Sequence, residues 1–225
     1  MWKYEDTAMR SRLFAGMRRE EVETILPCLA GTVQTYAKED CLLRAGEPAG
    51  RMGLLLEGAA QVVQEDYWGR RFLVARIEAG ELFGESFACL EGETLPVSVI
   101  AAEPCATLLL EGRAVLRPCA RACPGHGKLM GNLLEILAVK NTALTRKMEH
   151  LTRRTTREKL LSYLSEQARR CGGGRFSIPF TRQELADYLA VDRSAMSREL
   201  SRMREDGLCN FAGREFVLRE PPAPE

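Results

Sequence analysis

Arg193, Ser194, Ser197 and Arg198, with Arg202 following, crowd one short stretch near the end of the chain. A guanidinium is a fixed fork of donors, and an arginine can grip guanine through two acceptors in the major groove of duplex DNA. That chemistry needs the residues on the solvent side of a helix, and the sequence supplies one. Met196, Leu200 and Met203 recur at spacings of four and three and so face a core, which turns the arginines and serines mostly outward. Asp192 is a natural N-cap for this helix. Before it, Thr181 and Glu184 form a capping box that starts a shorter helix with Leu185 and Leu189 on one face and the small Ala186 nearby, where a second helix can approach. A short Ala-Val-Asp turn joins the two. Residues Phe180–Met203 therefore read as a helix-turn-helix whose second helix suits the major groove. The candidate DNA-contact set is Arg193, Ser194, Ser197, Arg198 and Arg202, with Thr181 at the start of the first helix. A merely solvated helical hairpin would share the apolar spacing, but caps, turn and outward chemistry agree on the DNA-reading form.

A reading helix needs a mount, and the segment upstream supplies one. Met130, Leu134, Leu137, Asn141, Leu144, Met148 and Leu151 follow one another at spacings of 4, 3, 4, 3, 4 and 3. This is a heptad seam, narrower than the stripe of a helix packed on its own domain. A polar Asn141 inside it is costly unless it meets its own copy across a two-fold axis, which predicts a parallel, in-register homodimer. Between seam and reading element, Thr152–Glu158 is a polar interruption and the expected hinge. Leu160, Leu161, Leu164 and Ala168 then mark a helix stopped by Gly172 to Gly174. RFSIPF (175–180) suggests a short strand, and a hairpin turning at Ala212–Gly213 would form a wing after the reading helix. The last residues, EPPAPE (220–225), read as a disordered tail.

The first half has a different rhythm. Residues 7 to 30 fit one or two amphipathic helices stopped near Pro27 and Gly31. From Thr32 the chain shows seven short β-rich runs, TVQTYA, CLLRAG, RMGLLLEG, AAQVVQED, RRFLVARIEAG, LPVSVIAA and CATLLLEG. Turn residues punctuate them, including a hairpin turn at Trp68–Gly69, so an antiparallel double-sheet roll is expected.

Composition narrows the classes further. Residues 151–225 hold 14 Lys/Arg against 11 Asp/Glu, whereas residues 1–150 hold 18 against 20. The small basic excess therefore lies with the reading helix, as phosphate contact requires. No run reaches the length of a membrane span and the N-terminus is charged, which together predict a cytoplasmic protein with no membrane partner. Eight cysteines are scattered without a C-x-x-C pair, so the common zinc and thioredoxin-like spacings are missing and no metal site is expected. No nucleophile–base pair or phosphate-binding loop marks an enzyme.

Taken together, ELADYLAVDRSAMSRELSRMREDGL, the later GREFVL and the roll segment GRRFLVARIEAGELFGE resemble the cAMP receptor protein/fumarate-nitrate regulator (CRP/FNR) superfamily of bacterial transcription regulators, over nearly the whole chain. The resemblance implies an α+β fold: a β-roll sensor domain with N-terminal helices (1–124), a long dimerisation helix (125–151) and a winged helix-turn-helix domain (152–225). It implies a homodimer on a palindromic operator in double-stranded DNA, a small-molecule or redox effector, and RNA polymerase as a possible partner. Arg193, Ser194, Ser197 and Arg198 match the family's base-reading positions, but the acidic reader common to its branches is here Ser194.

For the effector, Gly84 and Glu85 match the pair that grips ribose in the cyclic-nucleotide branch, and Thr142 weakly matches a purine-contacting position. The phosphate-binding pair falls at Leu95–Pro96, which carry no cation, and between Phe72 and Arg113 the only arginine is Arg76. A phosphate without a fixed cation loses its strongest contact. No cofactor is therefore predicted: cAMP is not expected, and Gly84–Glu85 reads as a structural turn with a surface or hinge carboxylate. Near the N-terminus only Cys28, with Cys41 next, stands where the oxygen-sensing branch clusters its cysteines, so an iron–sulfur cluster is not expected. Haem stays open through His126 and His150, which read first as surface or hydrogen-bonding residues. Cys119 and Cys123, four apart, would share a face if helical and could form a redox pair. The rival reading of the whole chain is a cyclic-nucleotide-binding signalling module whose helical tail engages a protein instead of DNA.

Overall fold

A computed structural model describes residues 3–65, 67–68, 71–117 and 125–219. The chain divides into two units, residues 1–139 and 140–225.

In the first unit the expected amphipathic helices are short pieces. They are α1 (Glu5–Arg10), a 3-10 turn at Arg12–Phe14, α2 (Arg19–Ile25) and a second 3-10 turn at Leu26–Leu29. Ser11 breaks the first run by adopting an extended backbone while its hydroxyl donates to the Ala8 carbonyl at 2.6 Å. The strands follow as β1 (Thr32–Tyr36), β2 (Cys41–Leu43), β3 (Arg51–Glu57), β4 (Ala59–Glu65), β5 (Arg71–Glu78) and β6 (Leu82–Phe83). The one-turn α3 (Glu85–Ala88), β7 (Ser98–Ala101), β8 (Cys105–Glu111) and the short α4 (Gly112–Leu116) complete the series. Each of the seven β-rich runs contains a strand. The two-residue β6, too short to leave a periodic signal, is an addition.

Two antiparallel sheets result, ordered β1-β8-β3-β6 and β2-β7-β4-β5. Their layering explains why β3 and β8 are apolar without alternation. On one face, Met52, Leu54, Leu108 and Leu110 pack with Phe14, Ile25, Leu129 and Leu133 from helical segments. On the other, Leu55 and Cys105 join Ala60, Ile77 and Val99 of the second sheet. A sheet covered on both faces needs apolar residues at both parities. The second sheet leaves its outer face to water, and β7 alternates accordingly.

Gly84 sits at φ +75, and a Cβ there would come within 2.8 Å of a Leu43 methyl, so the expected structural turn is present and demands glycine. The accompanying expectation of a surface or hinge carboxylate is corrected: Glu85 is buried in the first turn of α3. Glu85 follows the Gly84 turn directly and is buried in α3 together with Ala88.

The long helix α5 (His126–Leu151) contains the division between the units. The second unit continues with α6 (Thr156–Cys171), β9 (Arg175–Ser177), α7 (Arg182–Tyr188), α8 (Arg193–Glu205), β10 (Cys209–Ala212) and β11 (Glu215–Leu218). The expected break at Thr152–Glu158 is shorter than its polar composition suggests. Thr155 and Glu158 cap each other's backbone amides, so α6 already begins at Thr156. Gly172, at φ +70, closes that helix in a left-handed cap. The three-stranded sheet β10-β11-β9 and three helices enclose Leu160, Tyr163, Leu164, Phe176, Leu185 and Phe216 with the apolar face of α8.

None of the six described cysteines is in a disulfide. The proposed Cys119–Cys123 pair, the Gly69 half of the hairpin turn and residues 220–225 lie outside the described residues.

Candidate nucleic-acid interface

The reading element is assembled from caps. Thr181 Oγ1 accepts the Glu184 amide, and the Glu184 carboxylate accepts the Thr181 amide at 2.6 Å. That backbone donation holds the Glu184 carboxyl below its usual range. A residue of left-handed backbone, Ala190, turns the chain, and Asp192 then caps α8 by accepting the Ala195 amide at 2.8 Å. Met196, Leu200 and Met203 are buried, as their spacing requires, so the opposite face of α8 is presented to solvent.

Arg193, Ser194, Ser197, Arg198 and Arg202 are all exposed on that helix, and Thr181 is exposed at the start of α7. Among the described residues neither Arg193 nor Arg198 is held in an ion pair. Arg202 differs, because it lies 3.6 Å from Glu199 one turn back. Ser194 Oγ donates to Asp192 Oδ1 at 2.5 Å, and Ser197 Oγ donates to the Arg193 carbonyl at 2.9 Å. The Ser194 hydroxyl, followed by the Ala195 amide, keeps the Asp192 carboxyl below its usual range.

Several residues that position this face left no mark in the sequence. Lys159 Nζ donates to the Leu189 carbonyl at 3.1 Å and the Ala190 carbonyl at 3.5 Å, so α6 caps the end of α7 at the turn. Arg157 bridges Asp206 and Glu199, tying α6 to α8; its bond to Asp206 raises its own pKa. Arg182 lies 4.5 Å over the Phe211 ring and 4.9 Å over Phe216, and Arg204 stands 5.2 Å over Phe211, which fixes the β10–β11 wing to the helices. Apart from Arg204 and Phe211, these partners lie tens of residues apart, beyond the reach of any local period.

His150, at the end of α5, is buried between Ser162 Oγ and Glu166 Oε2, each 2.8 Å from a ring nitrogen, with Tyr163 edge-on. His126 places Nε2 2.9 Å from the Val115 carbonyl. Both are hydrogen-bonding residues, the expected role, and both are buried instead of at the surface. Among the described residues no cluster of potential ligands could hold a metal ion.

The seam residues divide by position. Leu134, Leu144 and Met148 are 69, 62 and 64% exposed, and Met130 and Asn141 are exposed with them. Leu137 and Leu151 are half-buried, Leu137 against the core of the first unit. That core takes Leu129, Leu133 and Ile136 from the inward face of α5. Of the candidate effector residues, Gly84 and Glu85 belong to the first unit, whereas Thr142 is exposed on the part of α5 in the second. A cavity of about 940 Å³ is built wholly from the second unit, along α6, with Arg153, Arg154, Leu161, Arg169, Leu218 and Arg219 among its walls.

Comparison with known proteins bears on both units. A cyclic nucleotide-binding domain model matches residues 33–122, and a Crp-like helix-turn-helix domain model matches residues 158–223. The transcriptional activator protein FnrL of Cereibacter sphaeroides is 26% identical over 194 residues, 82% of this chain and 75% of FnrL. The nitrogen fixation regulation protein FixK of Rhizobium meliloti is 28% identical over 196 residues, 85% of this chain and 84% of FixK. In fold, the c-di-GMP responsive global regulator CLP of Xanthomonas campestris superposes with a TM-score of 0.58 at 19% identity, over 91% of this chain and 100% of that one. These relatives are transcription regulators and not enzymes, and no described helix is long and apolar enough to cross a membrane. With a roll domain that matches the cyclic nucleotide-binding model followed by a Crp-like helix-turn-helix, this chain belongs to the CRP/FNR superfamily of DNA-binding transcription regulators.

Proposed function

We propose that the protein acts as a homodimer on a two-fold symmetric operator, with α8 of each copy in successive major grooves. The observation that carries this reading is one helix face with Arg193 and Arg198 exposed and, among the described residues, not held in an ion pair, on a helix whose other face is locked into the core. Donor-only groups in that state meet guanine O6 and N7 without first breaking an ion pair. Arg202, already paired with Glu199, is assigned to the rim of the contact, and Thr181 to the phosphate backbone beside the start of α7. The second copy is assigned to the exposed stripe of Met130, Leu134, Asn141, Leu144 and Met148, with Leu137 and Leu151 at its margins. A parallel pairing through that stripe would present two reading helices about 34 Å apart, one turn of duplex DNA.

The first unit is assigned the sensing role. Leu95–Pro96 offers no cation to a cyclic phosphate, so Gly84 and Glu85 serve the turn and its buried carboxylate, and the effector is another small molecule or a redox signal. The domain limits 1–124, 125–151 and 152–225 are the corresponding functional divisions, the protein works in the cytoplasm, and RNA polymerase is its partner at the promoter.

Selection of bound duplexes from a random pool tests the reading. It should return a palindrome, and Arg198→Ala should lose roughly 5- to 150-fold of discrimination at one base pair per half-site. Equal weakening on every sequence would move Arg198 from base reading to phosphate contact.

A further inference from the structure

The serines of the reading face have already committed their protons. A hydroxyl carries one hydrogen and two lone pairs. Ser194 gives its hydrogen to Asp192 Oδ1 at 2.5 Å, and Ser197 gives its own to the Arg193 carbonyl at 2.9 Å. Both bonds point back into the helix and its cap, so what remains facing solvent is acceptor. The first is charge-assisted, because it ends on a carboxylate that also accepts the Ala195 amide at 2.8 Å. Donating to a base would require Ser194 to abandon that carboxylate. Donating from Ser197 would require breaking an i to i−4 bond along the helix.

We infer that hydrogen bonds within α8 polarise its reading face, with Arg193 and Arg198 presenting donors only and Ser194 and Ser197 presenting acceptors only, so that each serine selects a base offering an exocyclic amino group. In the major groove those are adenine N6 and cytosine N4, whereas thymine O4 and guanine O6 would set acceptor against acceptor. The inference rests on α8 being the reading helix and specifies what two of its positions read. Ser194 thereby keeps the acceptor polarity of the acidic residue that the resemblance places there, without its charge. Asp192 becomes a positioning residue: it touches no base, but it decides which way the Ser194 hydroxyl points.

The test uses the full-length chain and the half-site recovered by selection from random duplex DNA. Each adenine of the half-site is replaced in turn by purine, and each cytosine by 2-pyrimidinone, which deletes the exocyclic amino group alone. Binding of the wild type should weaken roughly 5-fold or more at the base facing each serine. The same deletion should cost Ser194→Ala, or Ser197→Ala, nothing further at its own base. Asp192→Asn keeps a capping oxygen but removes the charge that holds the hydroxyl, and should admit thymine or guanine opposite Ser194. The inference is overturned if no amino deletion couples to either serine. It is equally overturned if coupling appears when 2-aminopurine, which lacks O6, replaces guanine. A wild-type chain that enriches no half-site at all would overturn the DNA-reading assignment beneath it, a result distinct from an enriched half-site with uncoupled serines.

Discussion

Leu144 offers the sharpest test of the two-fold assembly. Its side chain is 62% exposed in the protomer, so truncating it removes little from the protomer's own packing and much from any surface laid over it. Leu144→Ala deletes the equivalent of three methylenes, each contributing about 0.8 kcal/mol when buried. Scaled by the exposed fraction, the loss is about 1.5 kcal/mol per copy and about 3 kcal/mol per dimer, because a two-fold axis uses the residue twice. At about 1.4 kcal/mol per decade the dimer should dissociate roughly 100-fold more readily. Sedimentation equilibrium over a concentration series reads that constant directly, and circular dichroism with thermal melting of the protomer shows that the fold is intact. Leu134→Ala, at 69% exposure, should behave alike, while Leu129→Ala on the buried face should destabilise the protomer instead. If Leu144→Ala and Leu134→Ala both leave the association constant within two-fold of the wild type, the exposed stripe is not the dimer seam.

Asn141→Leu should strengthen association but loosen its register, seen as higher-order species in light scattering; an unchanged, strictly dimeric variant would remove the role assigned to the amide. Leu200→Ala, deleting a fully enclosed side chain of α8, should cost about 2–5 kcal/mol of unfolding free energy in urea melts of the full chain, and a loss below about 1 kcal/mol would contradict the packing. Backbone donation at the two helix starts holds the carboxyls of Glu158 and Glu184 below their ordinary value of 4.5. For a depressed carboxyl the stabilisation is complete above that value and disappears as pH falls through the lower folded value. Thermal stability should therefore decline below about pH 4.5, with a shallower acid limb in Glu158→Gln and Glu184→Gln; identical acid profiles in wild type and variants would refute the caps.

The parts of the fold that were legible in advance are those governed by local repetition. Met196, Leu200 and Met203 could only share a helix face, and Thr181 with Glu184 could only start a helix, because both signals live within one or two turns of chain. The seven β-rich runs likewise announced strands. Other features needed partners that no window of sequence contains. Glu85 is buried at the start of α3, although an acidic residue in a turn reads as surface. Lys159, Arg157 and Arg182 look like solvated charges until the turn carbonyls, Asp206 and the wing phenylalanines are brought to them.

The sequence by itself determined that a strand-rich first half precedes a helical second half, which face of α8 is apolar, and that α5 carries a narrow apolar stripe. Those properties follow from the geometry of one helix or strand and from side chains a few residues apart. Only the tertiary structure decided that one sheet is covered on both faces, that Leu134, Leu144 and Met148 of the α5 stripe stay exposed while Leu137 packs against the first unit's core, and that Glu85 is buried. The covering of a surface depends on the atoms that happen to be adjacent in space, and chain spacing does not encode that adjacency.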